Sequence, residues 1–445
     1  DGHGGADRRT IQLGPNEALV DPSPDAIWPE RKIGARRTSA ATTNRPSISS
    51  TPRPGPLAGL RVVDFGQILA GPFAATLLAD LGADVVKLEP PAGDMSRPIG
   101  RTYFYSVNFN KRSVCVDTGT AEGKSVVQRI AAHSDALIAN LRPQATARMG
   151  IDAKTNPRLI ETHMTGYGWT GPYSKRPGID PLAQAYMGLE RTQGGPENPP
   201  VFPAQLAPTD FTTGAKGALG TVLALLARKR TGIVQRVDCN LLSGGIMLSS
   251  AWFTRYAGRP VRALADKDQH GLSPFHRLYR LADGWIYIVA ETEEQQSALC
   301  RVTGLSHPGS IAQAPPAKAH PNTNPFARDL AGALSKRSQA EVAAALKAAG
   351  VPAGEVRDAD SAVFLSEPQA TANDLVTERA HSTAGALRIA WQWIGFTGTA
   401  PTAGRATPLL GEHSTEVMAE AGVAPDEARK LIAAGIVRVE RPKSG

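Results

Sequence analysis

The chain has little cysteine and nothing to pair it with. Cys115, Cys239 and Cys300 stand far apart, with no C-x-x-C and no histidine at ligand spacing, which argues against a disulfide framework and against a zinc site. Nowhere do about 18 apolar residues run together, as a membrane-spanning helix requires. The opening residues DGHGGADRRT lack the apolar core of a secretory signal. No membrane partner is expected, and the chain reads as cytoplasmic. A basic stripe is missing too: the formal net charge of +8 is scattered, with no interleaving of aromatic and basic side chains. Nucleic acid is therefore not an expected partner, whereas attraction for polyanionic small molecules is. The remainder is ordinary for a globular enzyme, 41% hydrophobic and 20% charged over 445 residues, long enough for more than one core.

Residues 1–56 differ in composition from the rest of the chain. TSAATTNRPSISSTPRPGP is rich in Ser, Thr, Pro and Arg, so Ala35–Pro56 reads as a linker. The absence of an initiator Met, with the short piece IQLGPNEALVDPSPDAIWPE before the linker, suggests a cut from a longer polypeptide whose upstream domain ends near Glu30.

From Leu57 onward strands and helices alternate. Leu60–Phe65 is an apolar strand, Pro72–Leu81 has helical apolar spacing, Gly82 stops that helix, and Ala83–Glu89 is a second buried strand ended by Pro90 and Pro91. Such a β-α-β unit commonly holds a dinucleotide, but its first turn is GQILAG and not G-x-G-x-x-G, so the nest for a pyrophosphate is missing. A helix at Ala121–His133, strands at Ala136–Asn140 and Arg158–Gly166, and a long helix at Phe211–Ala227 continue the alternation. The fold class is α/β with a mainly parallel sheet. Leu242–Tyr256 reads as a buried helix, Tyr279–Ala290 as a hairpin around Ala-Asp-Gly, and Phe326–Leu334 and Gln339–Ala349 as helices. The domains read as 1–56, extension and linker; 57–257, large domain; 258–368, a smaller α+β domain; and 369–445, a return segment.

Locally, Asp210 is placed to cap the helix that begins at Phe211. The helix dipole would hold its carboxylate ionised, the form in which it could act as a nucleophile. Asp180 reads locally as a turn residue between Gly178 and Pro181.

The blocks LAGPFAATLLADLGADVVKLEPP and NFNKRS resemble the class III CoA-transferase family, which also contains carnitine CoA-transferases, formyl-CoA transferases and α-methylacyl-CoA racemases. The resemblance runs from Pro56 to about Glu440. It implies a large Rossmann-like domain, a smaller α+β domain, and closing elements at Pro408–Gly422 and Asp426–Ala434 that return to the large domain. It also implies interlocked dimers, hence a homodimer or a pseudo-dimer with a fused upstream copy. The reaction implied is transfer of coenzyme A from an acyl-CoA to a small carboxylic acid, with coenzyme A as substrate and no prosthetic group.

On this resemblance the nucleophile is Asp210, in PPVFPAQLAPTDFTTGAKGALG, acting through aspartyl anhydrides and an aspartyl-CoA thioester. Asp180 is the second catalytic candidate, an acidic residue near the coenzyme. The position before it is His in the racemases and Ile179 here, which removes one of the two acid–base groups a racemase needs. Leu69 and Ala70 match positions that touch the pantetheine arm. Val116, Asp117, Thr118, Asn140, Leu141, Arg142 and Arg148 match other coenzyme-binding positions, with Arg142 and Arg148 expected on phosphate oxygens. Lys111 and Arg112 are expected to be structural. Oxyanion donors are sought at Gly188 or in a loop at His270–Ser273. Two departures stand out: Asn140-Leu141-Arg142 lacks the aromatic that sandwiches adenine, and HGLS carries a single glycine. An isomerase, racemase or lyase of the same superfamily, or a partly active module of a fused transferase, remain the alternatives.

Overall fold

The large sheet follows from short runs of valine and isoleucine that are apolar on both faces. Strands β1 (Arg61–Asp64), β2 (Asp84–Glu89), β3 (Lys111–Val116), β4 (Ala136–Ala139), β5 (Ile160–Thr165) and β6 (Val237–Asn240) run parallel to one another. Double-faced burial is what a parallel sheet demands. The computed structural model describes residues 55–441 except 100, 142–144, 152–154, 196–197, 204–205, 260–264, 266–267, 310–323, 358–360, 392, 397 and 400–403. The extension, most of the linker expected at Ala35–Pro56, and Arg142 thus lie outside the described residues.

Strands β7 (Gly271–Ser273), β8 (His276–Arg280), β9 (Trp285–Val289) and β10 (Ala353–Val356) form a second, antiparallel sheet, and β11 (Val376–His381) pairs with β12 (Gly385–Ala390). The last strand, β13 (Val437–Arg438), adds antiparallel to β3 at the edge of the large sheet. The fold is therefore mixed α/β, a large mainly parallel sheet with a smaller antiparallel one.

Across the large sheet the order is β13-β3-β2-β1-β4-β5-β6. The chain winds outward from β1 in one direction, then returns to β4 and winds the other way. Between β1 and β4 this reversal opens a crevice at the carboxyl ends of the strands, where doubly wound sheets bind their ligands.

One face of the sheet is covered by the helices Ala70–Asp80 and Pro208–Thr231, whose Leu77, Leu78, Ala218 and Leu225 pack with Val62, Val85 and Ile160. The other is covered by Ala121–Ala132 and the C-terminal helices Ser414–Glu420 and Pro425–Ala433, through Val126, Ile130, Val417 and Leu431. Arg112 fastens the C-terminal cover to the sheet, with ion pairs to Asp84, Glu416 and Glu420 at 2.6–2.9 Å. The structural role expected for it is the one seen. All three cysteines are buried free thiols.

Two sequence-based assignments change. The stretch Leu242–Tyr256 is not one buried helix: it is two short ones, Leu241–Leu248 and Ser250–Phe253, with Ile246, Met247, Leu248, Trp252, Phe253 and Tyr256 exposed. Apolar composition signalled burial, but among the described residues these side chains remain exposed. The HGLS segment is likewise no loop, since Gly271–Ser273 is strand β7, paired with β8.

Candidate active site

The crevice is a cleft of about 160 Å³ lined by Phe65 and Gln67 after β1, Leu88, Glu89 and Pro90 at the end of β2, Val116 and Thr118 at the end of β3, and Leu141 and Met149 beyond β4. Its walls are mostly apolar. The turn between β1 and the first helix forms one rim. Asn140 holds that turn from across the switch point: its Oδ1 accepts from Gln67 N at 2.7 Å, and its Nδ2 donates to Gln67 O at 2.8 Å. Lys111, fully buried, donates to Asp64 Oδ2, Pro72 O and Asn108 Oδ1 at 2.8–2.9 Å, so its role is structural, as expected.

The long helix begins at Pro208, not at Phe211, so Asp210 is its third residue and not its cap. The residue before Pro208, Ala207, takes a left-handed conformation at φ 38° and offers no side-chain acceptor. The cap comes from elsewhere in the chain. Buried Asp180 accepts at Oδ1 from Thr209 N at 2.8 Å, from Asp210 N at 3.2 Å and from the Thr209 hydroxyl. Its other oxygen accepts from Gln184 Nε2. Asp180 thus satisfies the orphan donors at this helix start.

Asp210 itself is half-buried, and among the described residues none donates a hydrogen bond to its carboxylate. Burial, and then the neighbouring Asp180 carboxylate, push its pKa from the ordinary 3.8 up to about 7. The expectation that the helix dipole keeps this group ionised is corrected: desolvation and a like charge outweigh the dipole.

Asp210 and Gly214, one turn apart, share a face of the long helix. That face lies on the first turn. A Cβ built on Gly214 would stand 2.7 Å from Ala70 O and 3.0 Å from Phe73 Cδ1, and the Phe211 ring meets Phe73 edge-on at 5.0 Å. The absence of a side chain at Gly214 lets the nucleophile candidate's helix touch the start of the helix Ala70–Asp80, directly after the turn beside the cleft.

Other candidates fall differently. Leu69 and Ala70 have side chains buried in the core, so what they offer a ligand is backbone. Val116, Thr118 and Leu141 line the cleft. Asp117 turns inward on its own loop, its carboxylate accepting from Gly119 N at 2.9 Å. Arg148 is exposed at the end of the helix Ala145–Arg148, next to Met149 of the cleft wall. Gly188 N already donates to Ala185 O at 3.1 Å as the end of the helix Asp180–Met187, which removes it as an oxyanion donor. Sequence reasoning missed Phe65, Gln67, Leu88, Glu89, Pro90 and Met149; their signal was position, at or just beyond a strand or helix end.

A doubly wound sheet with a cleft at its switch point, and near it a helix whose Asp210 carboxylate receives no hydrogen bond among the described residues, define an α/β protein of the ligand-binding, doubly wound class. The chain belongs to CoA-transferase family III, whose family model matches residues 57–414, and it is a CoA-transferase. It is 32% identical over 400 residues to the human succinyl-CoA:glutarate CoA-transferase, covering 86% of this chain and 90% of that protein. It is 33% identical over 384 residues to the beta subunit of succinyl-CoA–L-malate CoA-transferase from Chloroflexus aurantiacus, covering 82% and 94%. The crystal structure of a CaiB/BaiF family protein from Brucella suis superposes with a TM-score of 0.72 at 28% identity, covering 83% of this chain and all of that one. Among the described residues no helix is long and apolar enough to cross a membrane.

Proposed function

We propose that this enzyme moves coenzyme A from a succinyl-CoA-like donor to a small dicarboxylic acid, with Asp210 as covalent nucleophile. The dicarboxylate class is suggested by the names of the relatives. The observation that carries the rest is the Asp210 carboxylate: it lacks a hydrogen-bond donor among the described residues, and its helix packs on the start of the helix that follows the cleft's rim turn. An acceptor so little occupied is available for attack.

The steps balance without an external proton or electron. An Asp210 oxygen attacks the donor's thioester carbon, the C–S bond breaks, and a mixed anhydride and CoA thiolate result. The thiolate attacks the aspartyl carbonyl, releasing the donor acid and leaving an aspartyl-CoA thioester. The acceptor carboxylate displaces the thiolate to form a second anhydride, and the thiolate then attacks the acceptor's carbonyl, freeing acyl-CoA and the Asp210 carboxylate. Asp180 acts by holding Asp210, not by touching substrate. Coenzyme A would lie along the cleft, with its pantetheine arm over the backbone of Gly66–Ala70. In this reading 57–257 with 369–445 bind the coenzyme, and 258–368 supplies the acid pocket. Racemase chemistry is disfavoured, because exposed Ile179 stands where an imidazole would be needed.

The working form is a homodimer, or a pseudo-dimer with an upstream copy. The exposed leucines of the long helix support this reading.

Incubation with succinyl-CoA followed by hydroxylamine should leave a hydroxamate on the peptide containing Asp210, detected by mass spectrometry. Turnover with an unmodified Asp210 would reject the covalent role.

A further inference from the structure

The first turn carries a backbone conformation that its own side chain disfavours. Ile68 sits at φ 63°, in the left-handed region that a β-branched residue avoids. Such a residue persists only where its surroundings over-determine it, and strain of this kind clusters at ligand clamps. Here side chains from three strand ends and the loop after β2 hold consecutive residues of the turn. Asp64 Oδ1 accepts from Gly66 N at 2.6 Å, Lys87 Nζ donates to Gly66 O at 2.8 Å, and Asn140 takes both sides of Gln67. Asp94 holds the strained residue itself, its Oδ1 accepting from Ile68 N at 3.1 Å.

Asp94 is in turn fixed on every side. The same Oδ1 accepts from Ser96 N at 2.8 Å and Ser96 Oγ at 2.7 Å, while Oδ2 lies 2.8 Å from Lys87 Nζ, with both side chains fully buried. Burial by itself would raise its carboxyl, but the Lys87 ammonium and the Ser96 bonds bring it down to about 2. It is therefore a permanent anion. Buried ion pairs are a weak source of stability, since desolvation offsets most of their attraction. What Asp94 and Lys87 both bond, besides each other, is the backbone of the turn.

We propose that Asp94, oriented by Lys87, is a positioning residue for coenzyme A: it holds Ile68 in the left-handed conformation that shapes the turn. It acts on transfer through that turn and does not touch the reacting atoms. A glycine would adopt the same φ unaided but would leave the turn mobile; isoleucine plus a clamp makes it rigid. The inference rests on the reading of Gly66–Ala70 as the surface under the pantetheine arm.

The test measures CoA affinity by calorimetry, KM and kcat for acyl transfer, and folding by circular dichroism. It compares wild type, Asp94→Ala, Asp94→Asn, and Asp94→Ala combined with Ile68→Gly. Release of strain of this size corresponds to a loss of about tenfold or more in CoA affinity for Asp94→Ala, seen as raised KM with kcat within about threefold. Ile68→Gly in that background should recover part of the affinity, because glycine takes the same φ without the clamp though not its rigidity; a merely structural role for Asp94 would give no such recovery. Unchanged affinity in folded Asp94→Ala, or no recovery on adding Ile68→Gly, overturns the proposal. Should Asp94→Ala not fold, Asp94→Asn decides: it keeps an acceptor for Ile68 N but loses the pairing with Lys87, and wild-type affinity there also overturns it. Wild type that binds no CoA would instead defeat the functional reading beneath it, and the inference with it.

Discussion

The carboxylate of Asp180 does two opposed things to Asp210. By capping the helix it fixes the backbone that carries the proposed nucleophile, and its charge adds to the burial that raises the pKa of that group to about 7. Attack needs the ionised form, so the rate should climb about tenfold per pH unit below 7 and level off above it. Asp180→Asn separates the two effects. The amide keeps an acceptor for Thr209 N, and its new N–H can meet Gln184 Oε1, which has no hydrogen-bond partner among the described residues. The expected outcome is a midpoint of the pH–rate profile displaced below 7, with the plateau within about threefold of wild type; an unmoved midpoint would show that burial alone sets it. Asp180→Ala also removes the cap and should cost about 1 kcal/mol of stability. The sign for folding is the reverse of that for rate. Because the native Asp210 binds its proton more tightly than the unfolded chain does, its contribution to stability falls as pH rises from 3.8 through about 7. Thermal unfolding of Asp210→Asn against wild type across that window measures the difference.

At the scale of elements, the contact that matters is between the first helix and the long one. Gly214 permits it. Alanine there gains up to about 1 kcal/mol of helix propensity, but its Cβ meets a backbone oxygen at 2.7 Å, and backbone cannot step aside as a side-chain tip can. Overpacking of this kind typically costs about 1–3 kcal/mol, so the steric effect wins. Gly214→Ala is expected to lower stability by about 1 kcal/mol in urea titrations and transfer by more than tenfold, because the helices part at the turn that carries Asp210. Wild-type kinetics would mean the contact is dispensable. The same elements show what a sequence discloses. Leu60–Phe65, Pro72–Leu81 and Ala83–Glu89 were legible because local periodicity and the stop at Gly82 carry their own reasons; Gly82 indeed takes φ 98°. The start of the long helix was misplaced by three residues because its cap, Asp180, lies 29 residues before Thr209. Nothing local announces a cap borrowed from that distance. The clamp on Ile68 was hidden likewise, since Lys87 and Asp94 look in sequence like surface charges at a strand end.

At the scale of the molecule, the apolar surface is unbalanced. Leu219, Leu223 and Leu226 repeat at helical spacing along the outer face of the Pro208–Thr231 helix and are 60%, 53% and 39% exposed. Ile246, Met247, Leu248 and Trp252 of the following helices are exposed as well. The opposite face of the long helix, with Gly214, Gly217, Ala218 and Leu225, is fully used inside this chain. A helix apolar on both faces is buried on both, and monomeric proteins rarely leave such a patch open. A second copy would cover it with the same kind of surface, as an isologous interface requires. Native mass spectrometry is therefore expected to give twice the chain mass. Leu223→Glu, which places a carboxylate in the stripe without touching Gly214 or Asp210, should shift the population toward the single chain and lower activity in step with the loss of dimer. A wild-type monomer with full transfer activity would refute the assembly and leave the apolar stripe to another partner.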